Sequence, residues 1–426
     1  MLAAQGELDY LGLECLAERT IALAQLRKLA DPAAGFDPLL ERRMNALLPI
    51  CVRNGVRLIT NMGAANPLAA GRKVMALAKK LDIQVKVAVV SGDDVLSLLE
   101  PSMKTIEARG APLSEYGELV SANAYLGVEE ILPALATDAQ VVITGRVADP
   151  SLFVAPLAHE FGWRLDDWER LGRGTVIGHL LECAGQLTGG YFAEPGAKDI
   201  PHMAQLGFPW CDADADGNGV LGKVAGTGGA ITTRTAKEQL LYEVTDPGGY
   251  LTPDVTADFR TVRFKEASPD RVAISGGTGR ARSSTYKVSV GYRAGFVGEG
   301  EISYAGANAV ERARLAGEIV RERLRDDVPD LRVDLIGVDA MHRGNFGHAA
   351  VPYEVRLRVA GRTRTRELAE RVGEEVEQLW TNGPAGGGGA RRYAQERIGV
   401  VSLLLERDRV KPTVTVLEGN RETQAA

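Results

Sequence analysis

Short apolar segments alternate with amphipathic segments of helical length over about the first 250 residues, and this alternation limits the possible folds most strongly. Turn-forming residues bound the clearest apolar segments, which predict strands over 57–61 (RLITN), 85–90 (VKVAVV) and 140–144 (QVVIT). Helices are predicted to follow them over 67–81, 93–100 and 149–161. Strands and helices in this order form a parallel sheet covered by helices, so this part of the chain is predicted to be α/β.

The pattern changes from about residue 260. Strands are predicted there near 286–292, 301–304, 332–339, 353–359, 400–406 and 413–417, with helices over 307–325 and 365–380. This β-β-α-β-β-α-β-β order predicts a smaller α+β sandwich, with helices on one face of a largely antiparallel sheet. We therefore expect an α/β ligand-binding domain over 1–258, an α+β domain over 259–418 and a frayed tail over 419–426.

Composition narrows the class of protein. With 45% hydrophobic and 25% charged side chains, the 426 residues are typical of a globular chain, and a net charge of −6 argues against general attraction to nucleic acid or to an anionic membrane. No run of about 18 apolar residues occurs, and Glu7 and Asp9 stand where a signal peptide would be basic. The expected location is therefore cytoplasmic. The cysteines form no C-x-x-C pair and no ligand set is recognised, so neither a metal nor a cofactor is expected.

Three polar loops follow the predicted parallel strands, at 60–67 (TNMGAANP), 91–94 (SGDD) and 144–151 (TGRVADPS). If the strands share one sheet, these loops open at the same edge, where α/β sheets bind ligands. The acid–base candidates are Asp149 and Asp93. Orienting amides, an anion clamp and a further carboxylate give the substrate-binding candidates Asn61, Asn66, Arg146 and Asp94. The alternative is that these residues cap helices and form turns, with Asn66 as the N-cap before Pro67.

Two further clusters are secondary candidates. His179 and Glu182 are three residues apart and share a helical face, where they could relay a proton or, with more ligands, bind a metal; a core histidine oriented by its neighbour is the favoured interpretation. Arg280, Arg282 and Lys287 (GRARSSTYK) could meet an anionic group such as the phosphates of coenzyme A. Solvated charges beside a hairpin explain this second cluster equally well.

Several long segments carry a family resemblance, among them TNMGAANP, ITGRVADPSLFVAPLAHEFGW, GHLLECAGQLTGG and EQLLYEVTDPGGYLTPDV. The chain resembles the acyclic terpene utilization AtuA family over nearly its whole length. The resemblance implies a role in the catabolism of acyclic terpenoids such as citronellol, and of related branched acids, through acyl-CoA intermediates. Members usually begin with an additional short strand and a glycine-rich turn, which would lie at the same ligand edge. Only MLAAQ precedes the matching segment here.

These observations together predict an enzyme that adds or removes water at a branched unsaturated acyl group, with an acyl-CoA or a small carboxylic acid as substrate. Asp149 or Asp93 would move the proton, while Asn61 and Asn66 would hold the enolate oxygen. The alternative is a non-catalytic subunit of the same pathway that binds acyl-CoA or a partner protein. A nucleotide-dependent ligase, suggested by glycine turns at 226–229 and 276–279, is the weakest interpretation. A homo-oligomer is left open.

Overall fold

The computed structural model describes residues 1–107, 110–343, 351–419 and 421–425. These residues divide into two compact units. Unit 1 contains Met1–Glu115, Leu119–Gly291 and Val400–Ala426, whereas unit 2 contains Tyr116–Glu118 and Tyr292–Gly399. The domain boundary at residue 258 remains a prediction from the sequence. The residues on both sides of it, within Leu119–Gly291, belong to unit 1.

The helices occur in both units. They are α1 Leu2–Gln5, α2 Glu18–Ala30, α3 Leu40–Asn54, α4 Pro67–Lys80, α5 Val128–Leu135, α6 Ser151–Glu160, α7 Trp168–Glu182, α8 Thr233–Leu241, α9 Ala309–Arg323 and α10 Arg366–Asn382. In the described residues, none of these helices combines the length and apolar character needed to cross a membrane.

The strands are β1 Tyr10–Leu13, β2 Arg57–Thr60, β3 Lys86–Ser91, β4 Leu119–Ala124, β5 Val141–Thr144, β6 Pro209–Ala213, β7 Gly219–Lys223, β8 Tyr250–Leu251, β9 Thr256–Asp258, β10 Arg263–Ser268, β11 Arg271–Ser275, β12 Thr278–Arg280, β13 Thr285–Ala305, β14 Arg332–Ile336, β15 Glu354–Thr363, β16 Gly388–Glu406, β17 Thr413–Glu418 and β18 Arg421–Gln424.

The main sheet of unit 1 has the strand order β1-β2-β5-β3-β17-β18. Its first four strands are parallel, which confirms the predicted parallel sheet and its α/β class. The helix predicted over 67–81 is also present, as α4, with Pro67 at its first position. The helix predicted over 93–100 is wrong, because only a single 3₁₀ turn, Leu96–Leu98, forms there.

Helices cover this sheet on both faces. Residues of α3 and α4, including Met44, Leu48 and Val74, share one apolar core with Val87 and Val89 of β3. On the opposite face, the ring of Phe153 from α6 occupies the space beside Gly12 of β1, where a side chain would collide with it. A parallel sheet covered in this way buries its strands and exposes mainly the loops at its two edges.

The C-terminal part of the chain differs from its predicted place. β17 was expected to complete the second sandwich, but it pairs antiparallel with β3 in the main sheet of unit 1, from Thr413 opposite Ser91 to Glu418 opposite Lys86. Residues 419–426 were expected to be frayed, yet β18 pairs with β17; Asn420 and Ala426 lie outside the described residues. Apolar Val414 and Leu417 are buried in this arrangement, which explains why the segment joins the main sheet.

Unit 2 has the expected α+β form. β14, β15 and β13 form an antiparallel sheet, in which Ile302 of β13 faces Leu357 of β15. The helices α9 and α10 bury their apolar residues in one core with this sheet, through side chains such as Val320 and Val376. Both helices therefore cover the same face of the sheet, as the sequence predicts. The strands predicted near 286–292 and 301–304 are parts of one long strand, β13.

Candidate functional site

The parallel pairing of β2, β5 and β3 places their carboxyl ends at one edge of the sheet. The polar loops predicted to share an edge therefore do so, and the segment after β1 joins them because β1 pairs in parallel with β2. The contacts of each candidate side chain distinguish those that support the loops from those that remain open to a ligand.

Asp93 holds the ends of three strands together. Its side chain is 3% exposed, and Oδ2 accepts hydrogen bonds from the Asn123 amide at 2.8 Å and from the Arg146 backbone N–H at 2.9 Å. Gly145 must be glycine here, since a Cβ atom would overlap the Asp93 carboxylate. Burial raises the pKa of Asp93 to about 6, although the hydrogen bonds from Arg146 and Asn123 oppose the shift. These contacts favour a structural role over the predicted catalytic one.

The other predicted binding groups also have protein partners. Asn61 is fully buried, accepts a hydrogen bond from the Cys15 backbone N–H at 2.8 Å and donates one to Glu14 at 2.9 Å. Asn66 caps α4, and its amide donates to two backbone carbonyls of the 32–34 turn. Asp94 is 43% exposed and lies 3.8 Å from the ammonium of Lys28. The amides of both asparagines donate to protein acceptors, so the predicted contact with an enolate oxygen is not favoured.

Arg146 is buried rather than open to an anion. Its side chain is 1% exposed; Nε donates to the carbonyl of Val147 at 2.9 Å, Nη1 donates to the carbonyl of Leu16 at 2.5 Å, and Nη2 donates to Asp149. The guanidinium also lies over the ring of Tyr125, 4.3 Å from its centre. This arrangement favours a positioning role, in which Arg146 orients Asp149, over the predicted direct clamp on a ligand.

Asp149 is the candidate that keeps an opening to solvent. Its side chain is 38% exposed, although protein atoms surround the base of the group. Burial raises the pKa of Asp149 to about 7; the charge of Arg146 opposes the shift, and the charges of Glu14 and Glu182 add to it. A carboxyl group with this pKa exists in both protonation states near neutral pH, which suits acid–base chemistry.

His179 and Glu182 form the predicted pair at the end of α7. Nδ1 of His179 and Oε1 of Glu182 are 2.8 Å apart, and both side chains are at least nine-tenths buried. A Cβ atom on the preceding Gly178 would lie 2.6 Å from the carbonyl of Pro150, so this glycine lets α7 approach the loop that carries Asp149. Burial raises the pKa of Glu182, although the hydrogen bond with His179 opposes the shift.

The pair is not fully satisfied by the protein. Within the described residues, Nε2 of His179, Oε2 of Glu182 and Oε1 of the nearby Gln239 are buried without a hydrogen-bond partner. Gln239 is held beside them because its Nε2 donates to the His179 carbonyl at 3.0 Å. Buried polar atoms are costly when unpaired, so these atoms keep hydrogen-bonding capacity for a polar partner.

Tyr250 completes the cluster and was missed in the sequence. Its ring centre lies 5.3 Å from that of His179, and burial raises its pKa, with further contributions from the charges of Glu182 and Asp149. Its phenol therefore stays protonated and can donate a hydrogen bond. We call Asp149, His179, Glu182 and Tyr250 the carboxylate site.

A more cationic region adjoins the carboxylate site. Glu18 accepts a hydrogen bond from Tyr125 at 2.6 Å and an ion pair from Lys287 at 3.3 Å. Burial alone would raise the pKa of Glu18, but these partners and Arg146 lower it to about 2. Lys287 thus contacts Glu18, whose charge contributes to the raised pKa of Asp149. Its predicted cluster partners have other contacts: Arg280 donates to the Gly248 carbonyl at 2.9 Å and Arg282 pairs with Glu129 at 2.8 Å.

Neither metal binding nor thiol chemistry is indicated in the described residues. No group of three or more His, Cys, Asp or Glu side chains within them is arranged to hold a metal ion. Cys183 follows the His179–Glu182 pair in the chain, but burial raises its pKa to about 11, which keeps it a thiol near neutral pH.

The comparisons with known proteins give one assignment. No curated protein and no solved structure matches the chain. The model of the family described as "Acyclic terpene utilisation family protein AtuA" matches residues 1–416, which include all the residues of the carboxylate site. The chain therefore belongs to the acyclic terpene utilisation AtuA family.

Proposed function

We propose that this member of the terpene utilisation family is an enzyme that adds or removes water at a branched acyl group through acid–base chemistry. The observation that carries the proposal is Asp149, whose pKa is raised to about 7 and whose side chain remains partly open to solvent. Family membership supports a role in acyclic terpene catabolism, where branched acyl groups are the substrates to expect. A coenzyme A thioester or a free carboxylic acid would present such a group.

Two neighbouring carboxyl groups of opposite protonation state suit this reaction. The charges of Asp149 and Glu182 disfavour simultaneous ionisation, because Glu182 raises the pKa of Asp149. In the hydration direction, the ionised carboxylate takes a proton from water as the water oxygen bonds to the β-carbon. The protonated carboxyl group delivers its proton to the α-carbon. One hydration therefore exchanges the protonation states of the two carboxyl groups, and a proton passes from one to the other through water before the next turnover; dehydration reverses each step.

The remaining residues of the site have supporting roles in this proposal. His179 holds Oε1 of Glu182, which leaves Oε2 free to meet water or a substrate hydroxyl group. The protonated phenol of Tyr250 supplies a donor for the enolate oxygen in place of the predicted asparagines. Arg146 fixes the orientation of Asp149 and limits the rise of its pKa.

The test uses purified protein with branched 2-enoyl and 3-hydroxyacyl groups, each presented as a coenzyme A thioester and as a free acid, between pH 5 and pH 9. We expect turnover of one form, with a change in rate near pH 7 as Asp149 titrates. The variant D149N should lose about 10²- to 10⁴-fold in kcat, because it cannot exchange a proton. The variant D326N, which changes an exposed carboxylate of unit 2, is the matched control and should keep the wild-type rate.

The non-catalytic alternative predicts a different result. Tight binding of a thioester without turnover by the wild-type protein would favour a binding subunit of the pathway. Equal turnover by the wild type and D149N would instead remove Asp149 from the reaction.

A further inference from the structure

An open cavity of about 590 Å³ lies in unit 1 beside α8. We call it the α8 cavity. The residues that matter to its chemistry are three cations and three aromatic side chains: Lys198, Arg234, Lys237, Tyr191, Phe192 and Tyr242. Cations and flat rings together are the groups that bind a phosphorylated nucleotide, since the cations contact phosphate oxygens and the rings stack on a base.

Two of the three cations are free to bind an anion. Lys198 pairs with Glu238 at 2.9 Å, but in the described part of the chain neither Arg234 nor Lys237 has an ion-pair partner. Both are exposed on the outer side of α8, with the guanidinium of Arg234 5.5 Å from the ring centre of Phe192. A phosphate group placed here would gain two charge-assisted contacts without breaking an existing pair.

Tyr191 provides an exposed aromatic surface held at an energetic cost. Its side chain is 82% exposed, and its backbone φ of 63° lies in the left-handed region, which is unfavourable for a bulky residue. The ring centre lies 5.6 Å from that of Tyr242 in an edge-on arrangement. Backbone strain of this kind persists where the surrounding structure holds the residue in place. A ring that is both fixed and exposed can act as a stacking surface for a base.

The α8 cavity adjoins the carboxylate site through α8 itself. One side of this helix carries Gln239, which donates to the His179 carbonyl, while the other side carries Arg234 and Lys237. Glu243, which also lines the cavity, is close enough for its charge to contribute to the raised pKa of Glu182. The cavity and the His179 contact therefore lie on opposite sides of α8, and the cavity is a site separate from the carboxylate site.

A second cationic cavity of unit 1 is less suited to phosphate. It has a volume of about 610 Å³ and contains Arg282 and Arg407, but both arginines already pair with Glu129, at 2.8 and 3.4 Å. Arg407 also lies over Tyr286, 4.0 Å from its ring centre. An anion there would have to displace a carboxylate.

We propose that the α8 cavity binds a phosphorylated nucleotide, with its phosphate groups against Arg234 and Lys237 and its base on the ring of Tyr191. The inference goes beyond the proposed function, because it concerns a second site on the outer side of α8.

The test is calorimetric titration of the full chain with coenzyme A, with adenosine 3′,5′-bisphosphate and with inorganic pyrophosphate. The wild type should bind all three, and pyrophosphate most weakly, because it has no base to stack on Tyr191. R234E/K237E should weaken binding of the first two by at least about tenfold, because two charge-assisted contacts become repulsive. Y191A should weaken adenosine 3′,5′-bisphosphate severalfold and leave pyrophosphate unchanged. The matched control R314E/R321E reverses two exposed arginines of α9 in unit 2 and should bind as the wild type does.

The outcomes separate this inference from the proposed function. Equal binding of coenzyme A by the wild type and R234E/K237E, or no binding by the wild type, would overturn the inference, even if a free acid is turned over. Weakened binding in R234E/K237E without turnover of any thioester or free acid would support the nucleotide site and reject the proposed hydration chemistry. Circular dichroism of each variant verifies that the exchanged surface residues leave the fold intact.

Discussion

At the scale of single residues, the strand-end loops contain two kinds of polar side chain. The first kind forms hydrogen bonds with backbone and side-chain groups of neighbouring loops and so stabilises the fold, as Asp93, Asn61 and Asn66 do. Asp149 differs because it has one protein partner of opposite charge and an opening to solvent. The type of residue is therefore a poor guide to function at this edge, whereas exposure and the remaining hydrogen-bonding capacity are informative.

Substitution of Arg146 distinguishes a positioning role, in which Arg146 orients Asp149, from the direct ligand clamp predicted from the sequence. R146A should destabilise the protein by about 2–4 kcal/mol, because it removes a buried guanidinium and its two hydrogen bonds to backbone carbonyls. Arg146 lowers the pKa of Asp149, so the same variant should raise that pKa and move the corresponding limb of the pH–rate profile above pH 7. Urea denaturation and the pH–rate profile measure the two effects.

A conservative exchange provides the control for Arg146. R146K keeps the positive charge but loses the planar fork, so we expect an intermediate loss of stability and a smaller shift of the profile. Full stability of R146A combined with weaker substrate binding would instead restore the ligand clamp predicted from the sequence.

At the scale of elements, the close approach of helix and strand in unit 2 depends on glycine. Gly298 of β13 lies against the backbone of α10, where a Cβ atom would collide with the carbonyl oxygen of Ala369. A backbone atom cannot move aside as a flexible side chain can. The spacing between this helix and the sheet is therefore set at this contact.

G298A should accordingly destabilise the protein by about 1–3 kcal/mol, the usual cost of overpacking. Equilibrium denaturation measures the loss. G388A is the matched control, since a Cβ atom on Gly388 would meet no atom within 4 Å, and it should change stability by less than about 0.5 kcal/mol. Equal stabilities of the two variants would show that α10 moves away from the sheet at little cost.

At the scale of the whole molecule, local patterns predicted local structure and little more. The apolar segments correctly predicted β2, β3 and β5. The spacing of His179 and Glu182 correctly predicted their contact, because side chains three residues apart lie on the same face of a helix. The pairing of β17 with β3, and the place of Tyr250 beside His179, have no local signal. The helix predicted over 93–100 fails for the same reason, since Asp93 is drawn into contacts with the distant Asn123 and Arg146.

Removal of residues 413–426 tests the distant pairing. The truncated chain would lose all the backbone pairing of β17 with β3 and the buried Leu417, so we expect a large fall in the melting temperature or failure to fold. Removal of residues 419–426 alone deletes β18, whose side chains are exposed, and should have a much smaller effect. Similar melting temperatures for the longer truncation and the full chain would mean that β17 contributes little to the sheet.

The place of β17 also has a consequence for synthesis of the chain. Ser91 and Thr413, which lie opposite each other in the sheet, are 322 residues apart in sequence. At about 5–20 residues per second, the ribosome needs roughly 15 to 60 seconds to make the chain between them. Throughout that time the nascent chain carries β3 without its partner, and an unpaired strand edge readily accepts other strands. The yield of folded protein should therefore depend on the speed of translation and on chaperones that shield this edge until the last strands leave the ribosome.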